Sequence, residues 1–108
     1  MPNASTLQFL LTLAKGIASQ FGPNCEVVVH DPATNDPERS IVAIENGHVT
    51  GRKVGDGPSH VVLEALRGNP EQLHDHLSYL TRTKDGKILK STTIYIRDDD
   101  GAPIGIFG

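Results

Sequence analysis

LSYLTRTKDGKILKSTTIYIRDDDGAPIGIFG, residues 77–108, decides the fold. Runs rich in β-branched and aromatic residues are broken at Lys84-Asp85-Gly86 and Asp99-Asp100-Gly101. Each break ends on glycine, which takes positive φ without a Cβ clash and suits the left-handed position of a short hairpin loop. The stretch therefore predicts three antiparallel strands, 77–83, 87–98 and 102–108, joined as a meander. In the middle strand, alternation puts Lys90, Thr92, Ile94 and Ile96 on one face and Leu89, Ser91, Thr93, Tyr95 and Arg97 on the other. Neither face is purely apolar. Such a strand lines a cavity, or carries a second packing surface outside.

Working upstream, residues 25–31 (CEVVVHD) and 40–46 (SIVAIEN) read as two more strands by their β-branched content. Between them, 31–39 holds two Asp-Pro pairs and reads as a loop. Residues 5–21 carry Leu7, Leu10, Leu11, Ala14, Ile17, Ala18 and Phe21 at helical spacing, with Ser5 as the expected N-cap and Gly22-Pro23 as the stop. Phe9 and Leu13 widen that apolar stripe beyond what a small domain covers, which predicts a dimer surface. Residues 59–68 read as a short helix ended by Gly68, with a further turn of helix over 70–74. The order is helix, two strands, a helical middle and a three-strand meander. It predicts an α+β domain: one five-stranded antiparallel sheet with helices over one face. Space enclosed between sheet and helices suits a small ligand.

Residues 45–57, ENGHVTGRKVGDG, hold four glycines. Asn46-Gly47 is a turn signal, because both residues tolerate positive φ. The spacing of Gly47 and Gly51 and the run Arg52-Lys53-Val54 exclude a P-loop, and GxGxxG is absent. Two readings stay open: a surface turn with solvated charges, or a loop closing over a small ligand with His48 and Arg52 as donors.

Other chemistry finds little support. His74-Asp75-His76 offers two imidazoles from one strand face, but no third ligand stands at a metal-binding spacing. His30 closes a strand, where it caps by a hydrogen bond or faces the cavity. Ser91 and Cys25 have no readable base, and GxSxG is absent. Asp98, Asp99 and Asp100 lie in a hairpin turn, where Asp serves backbone geometry. The expectation is no enzyme, no metal and no cofactor. The lone Cys25 excludes an internal disulfide framework and reads as a buried thiol.

The 108 residues suit a single domain, with 37% hydrophobic residues, no Trp and three Phe. A net charge of −3 and a pI near 5.9 lack the basic balance of an isolated nucleic-acid binder. Neither a signal peptide nor a membrane-length apolar run is readable, so the expected location is the cytoplasm. The last residues form an apolar strand with no polar tail, which predicts a piece of a longer protein.

GIASQFGPNCEVVVHD, SIVAIENGHVTGRKVGD and KDGKILKSTTIYIRDDDGAPIGIFG together resemble the YheO-like PAS domain family. Three separated motifs agree in order and spacing. The chain departs from the family pattern in Ser91-Thr92-Thr93, where Ser-Ser-Thr is usual, and in 55–60, GDGPSH, where a GDP-T-like run is common. The resemblance implies a five-stranded antiparallel sheet with helices on one face and an N-terminal flanking helix that dimerises. It also implies a sensory module followed by a helix-turn-helix domain in a bacterial transcriptional regulator. DNA contact would then come only through that further domain. His48, Arg52, Lys90 and Thr92 are the expected contacts for an unidentified small molecule. The rival expectation is a homodimeric interaction module whose cavity is packed shut.

Overall fold

The computed structural model describes residues 4–32, 39–58, 63, 67–68 and 73–108. Helix α1 spans Ala4–Phe21, followed by strands β1 (Val27–His30), β2 (Ile41–Glu45), β3 (His76–Arg82), β4 (Ile88–Arg97) and β5 (Pro103–Phe107). All pairings are antiparallel, and the sheet order is β2-β1-β5-β4-β3. The predicted α+β architecture is therefore observed. The expected helix over 59–68 and turn over 70–74 fall mostly outside the described residues. Of those positions Leu63 and Arg67 are helical and Gly68 is in a bend, while Leu73 and His74 have no regular structure.

One face of the sheet is closed by α1. Leu10, Ala14 and Ala18, at helical spacing, meet Val27, Val29 and Phe107, with Ala43, Ile94 and Ile96 packed around them. Small residues at 14 and 18 let the helix lie close to the strands. Gly105 lies beneath the same helix, where a Cβ would make ordinary contacts, 3.7 Å from Leu10 and 3.5 Å from Ile96. Ser5 lies inside the first turn of α1 rather than before it, so it is not the N-cap. Gly22 ends the helix at φ 89, donating its N–H to Ala18 O.

The hairpins form where their glycines predict, with Gly86 at φ 88 and Gly101 at φ 83. Asp98 Oδ1 accepts from the N–H groups of Asp100 and Ala102, so this carboxylate shapes the second turn. β3 carries a bulge between His76 and Tyr79, with Ser78 at φ 53. That extra residue shifts the pairing by one and places Tyr79 opposite Ser91.

Candidate functional site

Opposite α1, the second face of the sheet presents Val28, His30, Tyr79, Thr81, Ser91, Thr93 and Ile106. They border a cavity of about 710 Å³, which Ile17, Val27, Ile94 and Phe107 from the α1 side also line. Its polar lining is paired across strands. Tyr79 Oη and Thr93 Oγ1 share a 2.7 Å hydrogen bond, and Thr81 Oγ1 and Ser91 Oγ one of 2.8 Å.

His30 is 4% exposed, and Ser40 beside it is fully buried. The His30 Nδ1 to Ser40 Oγ distance is 2.8 Å. Burial, and secondarily the Arg52 charge, lowers the His30 pKa from 6.5 to about 4. The imidazole is therefore neutral at neutral pH. The ring combines both predicted roles: it is tied at the strand end and it lines the cavity. Sequence patterning left its role open because a histidine ending an apolar strand fits either one.

The glycine-rich loop is fastened to the sheet by two clips. In the first, Asn46 sits at φ 55, ψ 40, and its Nδ2 donates to Gly22 O (3.1 Å) and Cys25 O (2.8 Å). In the second, Glu26 uses both carboxylate oxygens. Oε1 accepts from Arg52 Nη2 at 2.6 Å, and Oε2 accepts from Thr50 Oγ1 at 2.6 Å and Thr50 N–H at 3.2 Å. Arg52 Nε completes the triangle on Thr50 Oγ1 at 3.1 Å. Gly47 is required by a close approach, since a Cβ there would collide with the Arg52 carbonyl oxygen. The loop then returns along β2, with Ile41 N–H donating to Asp56 O and Gly55 N–H to Ile41 O. It shields an edge that would otherwise be open to pairing.

Of the four expected contacts, Arg52, Lys90 and Thr92 line the cavity and His48 does not. Arg52 lines the cavity, with Nη2 and Nε already committed to Glu26 and Thr50. Lys90 and Thr92 also line the cavity. By alternation they share the face of Ile94 and Ile96, which is the α1 side. His48 lies in the 3₁₀ turn Gly47–Val49, is exposed, and is not part of the lining. The left-handed Asn46 turns the chain so that His48 stands outward while Thr50 and Arg52 turn in. Glu26, Tyr79, Thr81 and Thr93 were not singled out by sequence, and Ser91 was weighed only as a nucleophile. A charged Glu26 leading into the buried Val27–His30 run was the one readable sign.

His74 and His76 are both exposed, and among the described residues no group of three His, Cys, Asp or Glu side chains converges as a metal site. Among the described residues no helix is long and apolar enough to cross a membrane.

Comparison with known proteins places the fold in a lineage. The model of the YheO-like PAS domain matches residues 1–108. An uncharacterised protein of Haemophilus influenzae is 35% identical over 91 residues, covering 84% of this chain and 40% of the relative. Protein YheO of Escherichia coli strain K12, also described as uncharacterised, is 37% identical over 99 residues, covering 84% of this chain and 38% of the relative. YheO of Shigella flexneri matches to the same extent. The chain thus spans about two-fifths of the length of these relatives. With the motifs, the five-stranded sheet and a match along the whole length in agreement, the chain belongs to the YheO-like PAS domain family.

Proposed function

We propose that this domain is the sensory module of a bacterial transcriptional regulator, binding a small polar molecule and dimerising to control a helix-turn-helix domain elsewhere in the longer protein. The observation that carries the ligand reading is the cavity beside His30, whose neutral imidazole is tied by one nitrogen and faces the space. Tyr79, Thr93 and Ser91 add hydroxyls, and Arg52 adds a cation. A ligand switches the module only by binding one dimer arrangement more tightly than the other.

Dimerisation is supported by the outer face of α1. Phe9, Leu13 and Phe21 are 64%, 40% and 72% exposed and, with Gly16, border an apolar depression of about 350 Å³. The same patch favours the second reading, a homodimeric interaction module that needs no ligand.

Native mass spectrometry of the purified chain, before and after mild denaturation, separates these readings. A dimer with an added small mass, lost in His30→Leu, is the expected result for a sensor. A bare dimer that binds nothing in a metabolite thermal-shift screen favours the second reading. A monomer removes the dimer switch for this chain.

A further inference from the structure

Ser40 fixes the state of the histidine beside it. Its side chain is fully buried, and among the described residues its hydroxyl meets one partner, His30 Nδ1, at 2.8 Å. A buried hydroxyl proton left without an acceptor is costly. Ser40 Oγ–H therefore donates and Nδ1 accepts. The imidazole is neutral at neutral pH and holds one proton, so that proton sits on Nε2. Among the described residues, Tyr95 Oη is the sole side-chain polar atom sealed from solvent without a partner. Nε2 is thus not sealed in, and the space that His30 borders is the cavity. His30 offers that space a fixed N–H donor.

Arg52 supplies a second donor. Its Nε and Nη2 are held by Thr50 and Glu26, which fixes the guanidinium plane and leaves Nη1 without a partner among the described residues. It stands near enough to His30 for its charge to oppose protonation of the ring. The hydroxyl pairs Tyr79–Thr93 and Thr81–Ser91 each spend one proton within the pair and keep one. Charge points the same way. Glu26 is the one acid among the described residues that line the cavity, and Arg52 balances it. Arg82, Lys84 and Lys90 leave a positive surplus there, in a chain whose net charge is −3.

We propose that His30 and Arg52 form a carboxylate subsite, in which Nε2–H and Nη1 donate to the two oxygens of a small organic acid. This names the ligand class of the sensor reading above and rests on it. A carboxylate is acceptor-only, and charge assistance from a guanidinium makes the contact strong. An amine would bring protons against donors and a cation against cations. A neutral amide would offer one acceptor oxygen where two donors wait. Both Glu26 oxygens are spent on Arg52 and Thr50, so Glu26 is a positioning residue that holds the guanidinium in place.

Residue-resolved NMR of the 108-residue chain is the test. In the free chain, long-range proton–nitrogen correlation at His30 is expected to find Nε2 protonated and Nδ1 bare. A proton on Nδ1 overturns the proposal. Butyrate, butyramide and butylamine, which share one tail, are then titrated in turn. Butyrate is expected to move the His30 Nε2 and Arg52 side-chain signals and to bind about tenfold or more tightly than either of the others. Those shifts should be lost in His30→Leu, or in Arg52→Gln if the amide spectrum shows the first variant unfolded. Butyrate that leaves both signals unmoved overturns the subsite, and so does a preference for butyramide or butylamine. The sensor reading is judged apart, by the metabolite screen above, which a neutral or cationic hit would still satisfy.

Discussion

Asn46 shows how much one residue carries here. It takes the left-handed conformation and ties the loop to the end of α1 and the start of β1 through two side-chain bonds. Asn46→Ala loses both bonds and meets the Cβ penalty of positive φ, so a loss of about 2–3 kcal/mol is expected in urea unfolding. Asn46→Gly keeps the conformation and loses only the bonds, so its cost should be about 1 kcal/mol smaller. Tyr95 is the opposite case. It is 6% exposed, and its hydroxyl has no hydrogen-bond partner among the described residues. Burial raises its pKa, with Tyr79 and Asp75 nearby adding to the effect. Tyr95→Phe removes an unpaired polar atom without changing shape, and a gain of about 1 kcal/mol in the same assay is expected. At this scale the sequence was partly legible. Asn46-Gly47 announced a turn. It did not announce that Gly47 is needed because the Arg52 carbonyl approaches it, since that contact exists only once the loop has closed.

Among the elements, the loop and β1 behave as one unit through Glu26, Thr50 and Arg52. The Glu26 side chain is 8% exposed and that of Arg52 29%. Removing one partner strands the other in a half-buried site. Arg52→Ala is expected to cost about 2 kcal/mol, and the Glu26→Ala, Arg52→Ala pair about 1–2 kcal/mol less than the sum of its singles. A double-mutant cycle by urea unfolding checks this, and strictly additive values would mean the clip is not coupled. The helix and all five strands were readable, with ends shifted by one or two residues, because helical spacing, β-branched runs and Gly-containing turns are local signals. Which side of β4 faces the cavity was not. Alternation divides a strand into two faces, and the packing of α1 decides which is which. Ile94 and Ile96 chose the helix, which left Ser91, Thr93 and Tyr95 on the other side and carried Lys90 and Thr92 with the isoleucines.

For the whole molecule, His30 gives stability a pH dependence. Its folded pKa of about 4 lies below the ordinary histidine value of 6.5. The unfolded chain therefore binds more protons between these values, and stability rises with pH across that window. The contribution is fully present above about pH 6.5, falls as pH drops toward 4, and amounts to at most about 3 kcal/mol. Urea midpoints measured from pH 7 to pH 4 should fall, and His30→Gln should flatten the slope. The sheet order has a consequence of another kind. β1 pairs with β5, so the earliest strand of the sheet and the latest sit side by side at its centre. On the ribosome, the β1–β2 hairpin emerges first and has no central neighbour. The β3–β4 hairpin follows, and the two halves stay unjoined until the Pro103–Phe107 stretch clears the exit tunnel. Both hairpins then present bare strand edges during synthesis, when edge pairing between nascent chains is easiest. A fold closed by its last strand is a fold that translation must finish before any of its centre is safe.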